Sequence, residues 1–179
     1  MESQQRRALL LLIAMGGSTV LASYVLAFVL EPDVRTGLWG GIPEGGMRDF
    51  YTVNMLLAAV SFFPMTWALG FATPTDALKE KTGIGFVGML AAYAAILMAS
   101  ALWLPLTALY LGEQSAILWW LIRLILFIVG LGASVLFYML LQRAKDGSVG
   151  IRLAAGLFFF FWLQTAILDA LVWPYFFNA

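Results

Sequence analysis

The sequence predicts an all-α polytopic membrane protein, a bundle of five transmembrane helices with its N-terminus cytoplasmic and its C-terminus outside. Three observations carry that expectation. The 179 residues are 63% hydrophobic and 11% charged, against about half and about a quarter in an average soluble domain. Five apolar segments each reach the roughly 20 residues that a helix rising 1.5 Å per residue needs to cross a bilayer. Lys and Arg gather in alternate connections, as the positive-inside tendency requires.

The first segment, residues 8–30, follows a basic start like that of a signal peptide. Its apolar run continues without a convincing small-residue cleavage site, so it reads as a retained first helix. The remaining spans are expected at 50–72, 84–111, 116–141 and 151–177, which makes the chain a single transmembrane domain. Between them lie EPDVRTGLWGGIPEGGMRD, TPTDALKEKTG, GEQS and QRAKDGSVG, rich in Gly, Pro and charge, the composition of turns.

Orientation follows from the basic residues. Arg6 and Arg7, then Lys79 and Lys81, then Arg143, Lys145 and Arg152 fall on one side of an alternating five-span path, and together they are seven of the ten Lys and Arg. The other side carries Arg35 and Arg48 among Glu31, Asp33, Glu44 and Asp49. The N-terminus is therefore expected inside, in a multi-pass protein of the bacterial inner membrane type.

Cys and His are both absent. That removes disulfides, thiolate and imidazole metal ligands and the commonest general base. Formal net charge is zero and there is no basic tail, so the electrostatic footprint of a nucleic-acid binder is missing. No cofactor is expected. An enzyme is the least expected reading, since no motif with catalytic geometry is recognisable.

Helices in lipid pack closely through small residues at helical spacing. Ser18 and Ala22 in the first helix, Ala91, Ala95 and Ala99 in the third, and Gly130 and Ser134 in the fourth are the expected contact stripes. Pro64 and Pro105 each remove a backbone donor within a span and crowd the preceding turn. The bends they predict either tune packing or shape a cavity.

Two ionisable residues lie well inside spans, Arg123 in the fourth and Asp169 in the fifth. Counted from the helix ends, both are roughly 10 to 12 Å below the outer surface, and an unpaired charge there is costly. A salt bridge between them is expected, either as a lock between two helices or as a polar anchor for a ligand. Asn54 lies near the same depth and could join them; Gln164 and Thr165 lie deeper. Tyr51, Trp103, Tyr110, Trp119, Trp120, Trp173 and Tyr175 share the outer half, many of them as an expected interfacial belt. Trp103 and Trp162 sit too deep for a belt and are expected to pack inside the bundle or line a pocket. The long first loop, with Trp39 and Pro43 between glycine pairs, is either a lid or a loose external connection.

Five helices, a long first loop with Trp and Pro, and the segment ASALWLPLTALYLG resemble the tryptophan-rich sensory protein family, also called translocator proteins. In that family the third helix carries a Trp followed two residues later by Pro, the step made here by Trp103 and Pro105. The family's closely spaced tryptophans and prolines entering helix 2 have no counterpart in EGGMRDFYTVNMLL. The resemblance implies a pocket for porphyrins, sterols or related lipophilic molecules near Trp103 and the loop around Trp39.

The leading functional expectation is a lipophilic small molecule bound in an outer-half pocket lined by Trp39, Asn54, Trp103, Arg123, Trp162 and Asp169. The alternatives are a structural or accessory membrane subunit, with Arg123 and Asp169 as a fold-locking ion pair, and a small-solute transporter. The expected partners are membrane lipid, a lipophilic ligand, and a second copy or a membrane complex.

Overall fold

The structure is a computed structural model and describes residues 2–31 and 33–177. The chain forms α1 (Glu2–Leu30), α2 (Val34–Gly37), α3 (Gly46–Gly70), α4 (Thr75–Thr82), α5 (Phe86–Glu113), α6 (Ala116–Lys145), α7 (Val149–Trp162), a π-helical segment (Leu163–Val172) and α8 (Trp173–Phe177). Five helical runs are long and apolar enough to cross a membrane: α1, α3, α5, α6 and the continuous run Val149–Phe177. They overlap the expected spans: α1, α6 and the fifth run extend beyond them into polar flanks at residues 2–7, 142–145 and 149–150, α3 starts four residues before and ends two residues short of the expected bounds, and α5 is shifted two residues toward the C-terminus. No strand occurs among the described residues.

The runs pack in the spatial order α1, α5, α6, α7 with the π-helical segment, α3. At the N-terminal end of the bundle α1 also meets α3, where Arg6 donates to the Phe71 carbonyl at 3.3 Å and Leu9 fills the space beside Gly70. One core centred on Met65, Tyr93, Met139 and Phe158 fills that half. The outward surface is apolar as well, with Phe63 72%, Val87 73% and Ile117 73% exposed, far beyond what a soluble protein turns to water.

The small-residue stripes are partly relocated. Gly130 and Ser134 do face the fifth run: a methyl on Gly130 would lie 3.0 Å from Ala166 Cα and 3.2 Å from the Thr165 carbonyl oxygen. Ser18, Ala22 and Ala91 instead point outward. The contact face of α1 is set by Gly16 against Leu97, and that between α5 and α6 by Gly132 against Ile96 and the Ala92 carbonyl. A single span offers several small residues, and only its neighbours decide which of them is covered.

Both α3 and α5 continue through their prolines. Pro105 lines a groove of about 640 Å³ between α1 and α5, together with Ala27, Ala108 and Leu109. The Thr107 hydroxyl donates to the Trp103 carbonyl at 2.9 Å in the same turn.

The long first connection is an ordered cap. Val34 and Ile42 are each 1% exposed. The Gly41 amide donates to the Phe176 carbonyl at 2.8 Å and the Trp173 indole donates to the Leu38 carbonyl at 2.7 Å. Gly40 has φ +52°, and a Cβ there would sit 2.6 Å from Phe177 Cα, so the approach of loop and helix end depends on glycine.

At the N-terminal end, α4 caps the core with Leu78 and closes on Gly83, whose φ of +72° suits a left-handed helix end. Lys81 reaches Asp146 across this end, and that hydrogen bond, with the lysine charge, holds the Asp146 carboxyl below the usual carboxylate range. A lowered value means that the stabilisation is complete at neutral pH and is lost only as pH falls through that lowered value. Asp146 is exposed, so screening keeps the effect small. Asp146→Asn is expected to leave the melting temperature at pH 7 nearly unchanged.

Candidate functional site

The expected Arg123 to Asp169 salt bridge does not form. Among the described residues the ion pairs are Glu2 with Arg6, Glu44 with Arg48, and Lys81 with Asp146. Arg123 is exposed on the outer face of α6, with its guanidinium 4.6 Å from the Trp120 ring centroid and 6.0 Å from that of Trp119. Asp169 is half-buried on the π-helical segment. The α-helical spacing that aligned the two charges fails on both helices: Arg123 lies on the exposed face of α6, and Asp169 lies within the π-helical segment.

That change of winding builds the site. In an α-helix side chains at i and i+4 share a face; widening to i→i+5 hydrogen bonds brings i and i+5 together instead. Gln164 Nε2 accordingly donates to Asp169 Oδ1 at 2.7 Å, a contact across five residues. Pro174 follows the segment and has no amide hydrogen, and in a regular helix its ring would press on the carbonyl of Ala170. The segment, Leu163–Val172, ends two residues before that proline.

Helix α3 supports the segment at both ends. Asn54 Nδ2 donates to the Phe160 carbonyl at 3.1 Å, where α7 gives way to the wider winding, and to Gln164 Oε1 at 2.9 Å. The Tyr51 hydroxyl donates to the Leu168 carbonyl at 3.0 Å. Asn54 and Gln164 are buried, and the chain Asn54, Gln164, Asp169 orients the carboxylate through two amides. Gln164 occupies one Asp169 oxygen. Among the described residues no second hydrogen-bond partner and no cation within 4.0 Å engages the carboxylate.

Aromatic rings surround this chain. Tyr24 of α1 and Tyr51 of α3 both sit within electrostatic range of Asp169. Tyr24 packs edge-on against Trp103, 5.9 Å between centroids, and Trp103 packs against Trp173 at 6.0 Å. The Trp103 indole nitrogen is buried and has no hydrogen-bond partner among the described residues. Such an orphaned donor is rare in a folded interior. Trp119, Trp173 and Phe177 stack beyond it, closing the C-terminal end of the cluster.

The six residues singled out by sequence therefore separate. Asn54 and Asp169 are brought together through Gln164. Trp103 lies in the same half of the bundle with a free indole donor. Trp39 belongs to the cap, half-buried under the Arg48 guanidinium at 5.7 Å. Trp162 donates to Ser134 Oγ at 3.0 Å and stacks on Phe137, joining α7 to α6. Arg123 faces away. Of the outer-half aromatics, Tyr51, Trp119 and Trp173 are buried in the bundle, while Trp120 and Tyr175 stand outside at 63% and 77% exposure, where a belt would be. Sequence reasoning overlooked Tyr24; its depth opposite Asp169 was the available signal, but nothing in the sequence says which face of α1 meets α5.

Against family models, curated proteins and solved structures, the chain matches none.

Proposed function

We propose that this protein binds a lipophilic molecule whose polar head donates hydrogen bonds, an amine foremost, at Asp169 in the C-terminal half of the bundle. The observation that carries this reading is a carboxylate within a span-length apolar run, with a free oxygen and no cationic partner among the described residues, in the same aromatic cluster as an indole donor without an acceptor among them. Ionisable groups within spans are expensive and tend to mark ligand or ion sites. Aromatic walls with few, fixed polar groups suit an apolar ligand held by one oriented head. The π-helical winding supports the same reading, since such departures occur frequently at functional sites.

Entry from the lipid is favoured between α1 and α3. These helices pack on α5 and α7 respectively and meet at the N-terminal end of the bundle, while at the other end Tyr24 of α1 and Tyr51 of α3 both lie within electrostatic range of Asp169. The positive-inside pattern puts this end outside the cell. The resemblance of Trp103 and Pro105 to the tryptophan-rich sensory protein pattern points to the same half.

A probe with an amine head and a single alkyl chain, dodecylamine, tests the reading by native mass spectrometry of the detergent-purified protein. Trp103→Phe keeps a ring against Tyr24 and Trp173 but removes the indole donor. Dodecylammonium has no acceptor for that donor, so its binding is expected to be unchanged, whereas sphinganine, whose amine is flanked by hydroxyls that accept, is expected to bind several-fold more weakly, the effect of one neutral hydrogen bond of about 1 kcal/mol. Equal sphinganine binding by the two proteins would remove Trp103 from the site.

A second reading, an accessory subunit in a membrane complex, is favoured by α1. Its long outward surface, including Leu11, Met15, Leu21 and Leu30, is 62–70% exposed. Recovery of a defined membrane complex with the tagged chain would support it.

A further inference from the structure

The cation that failed to pair with Asp169 has its own geometry. Arg123 is the eighth residue of α6, and its guanidinium lies over Trp120 and close to Trp119, the residues three and four positions earlier. Side chains at i−3 and i−4 lie one turn nearer the helix start. The Arg123 side chain therefore climbs toward the C-terminal end of the bundle instead of standing out from the mid-span. This is how a long cationic side chain behaves when its stem lies in hydrocarbon and its head seeks the interface.

Among the described residues nothing neutralises that head. At the same end, Arg35 donates to the Phe28 carbonyl, and Arg48 engages Glu44 and the Ile42 carbonyl. Arg123 makes no hydrogen bond or ion pair among the described residues, and neither Glu113, at the adjacent turn, nor Asp169 lies within 4.0 Å of it. All five of its N–H donors remain available in a planar fork. Around it Ile117, Leu121, Leu124 and Phe127 are exposed and apolar, at 40–73%.

We propose that Arg123 and Trp120 form a surface site for the phosphodiester of a membrane phospholipid, with the acyl chains lying along Ile117, Leu121 and Leu124. The guanidinium fork matches phosphate oxygens in a bidentate, charge-assisted manner. The exposed Trp120 ring stacks the guanidinium from beneath and is itself of the type that resides at headgroup depth. The apolar surround suits lipid chains. A partner's carboxylate would satisfy the charge too, and the test separates that outcome. This site is independent of Asp169.

Delipidated wild-type protein is titrated with dioleoyl phosphatidylglycerol and with dioleoylglycerol, which has the same chains and no phosphate, and bound lipid is counted by native mass spectrometry. Wild type is expected to bind the phospholipid about tenfold more tightly than the diacylglycerol, the ratio that about 1.4 kcal/mol gives. Arg123→Gln is expected to bring the phospholipid down to the diacylglycerol level, and millimolar inorganic phosphate is expected not to displace the bound phospholipid. Arg123 is exposed, so the variant should elute and unfold as wild type does. Three results would overturn the proposal: no preference for the phospholipid in wild type, an undiminished preference in Arg123→Gln, or displacement by inorganic phosphate alone. A shift of Arg123→Gln from dimer to monomer with lipid binding intact would also overturn it and assign Arg123 to a protein contact.

Discussion

Asp169→Asn is expected to lower the affinity for dodecylamine tenfold to a hundredfold while the bundle stays folded. Asparagine keeps the shape of the side chain and an oxygen that can accept from Gln164 Nε2, now 2.7 Å from the carboxylate. What it removes is the charge that would meet an ammonium head. A hydrogen bond to a charged group contributes about 1.5–3 kcal/mol, which converts to that range of affinity. Asp169→Leu separates binding from folding. It leaves the Gln164 amide without its acceptor beside Asn54, and an unsatisfied buried donor costs about 1–3 kcal/mol. The leucine variant should therefore lose both affinity and melting temperature, and the asparagine variant affinity alone. Equal melting-temperature losses in both would mean that the carboxylate is a fold element and not a binding group.

The largest effect on stability is expected at Gly130. Its position faces backbone, with Ala166 Cα and the Thr165 carbonyl oxygen 3.0 and 3.2 Å from where a Cβ would stand. A flexible side chain could move aside, whereas here α6 and the π-helical segment must separate as a whole. Overpacking of this kind costs about 1–3 kcal/mol and occasionally more, so Gly130→Leu should fall at or beyond the upper end. The same separation displaces Asp169, three residues from Ala166, so dodecylamine binding should fall with it. Thermal unfolding in detergent checks the first effect and native mass spectrometry the second. At Gly156, a methyl would meet nothing within 4 Å, and Gly156→Ala is the control that should leave both unchanged.

Five spans were legible because length, apolarity and punctuation are local properties. The runs from Ala116 and from Val149 begin within two residues of the expected starts, because the polar turns GEQS and QRAKDGSVG mark where the apolar stretches begin. Covered faces were less legible. Ser18 and Ala22 are as small as Gly16, and only the position of Leu97 on another helix selects the glycine. The Arg123 to Asp169 pairing failed for a different reason. Depth follows from distance to the helix ends, but direction around the axis does not: Arg123 lies on the exposed face of α6 over Trp120, and the ten π-helical residues break α-helical spacing where Asp169 lies. Pro174, together with the deep polar residues Gln164 and Thr165, was the sequence-level mark of irregular winding. The chain from Asn54 through Gln164 to Asp169 needs three residues from two distant segments, 110 positions apart at their widest hydrogen bond, a relation that no local pattern encodes. Glycine pairs around Trp39 and Pro43 fit a lid and a loose connection equally, and the burial of Val34 and Ile42 makes the first loop a cap.

The most direct test is an unbiased mass-spectrometric inventory of small molecules that leave the membrane with the protein, compared between wild type and Asp169→Asn. The expected result is a lipophilic species with an amine or other hydrogen-bond-donating head, present in wild type and depleted about tenfold or more in the variant, in line with the charged hydrogen bond it would lose. Identical inventories from the two proteins, with both folded, would contradict a binding role for Asp169.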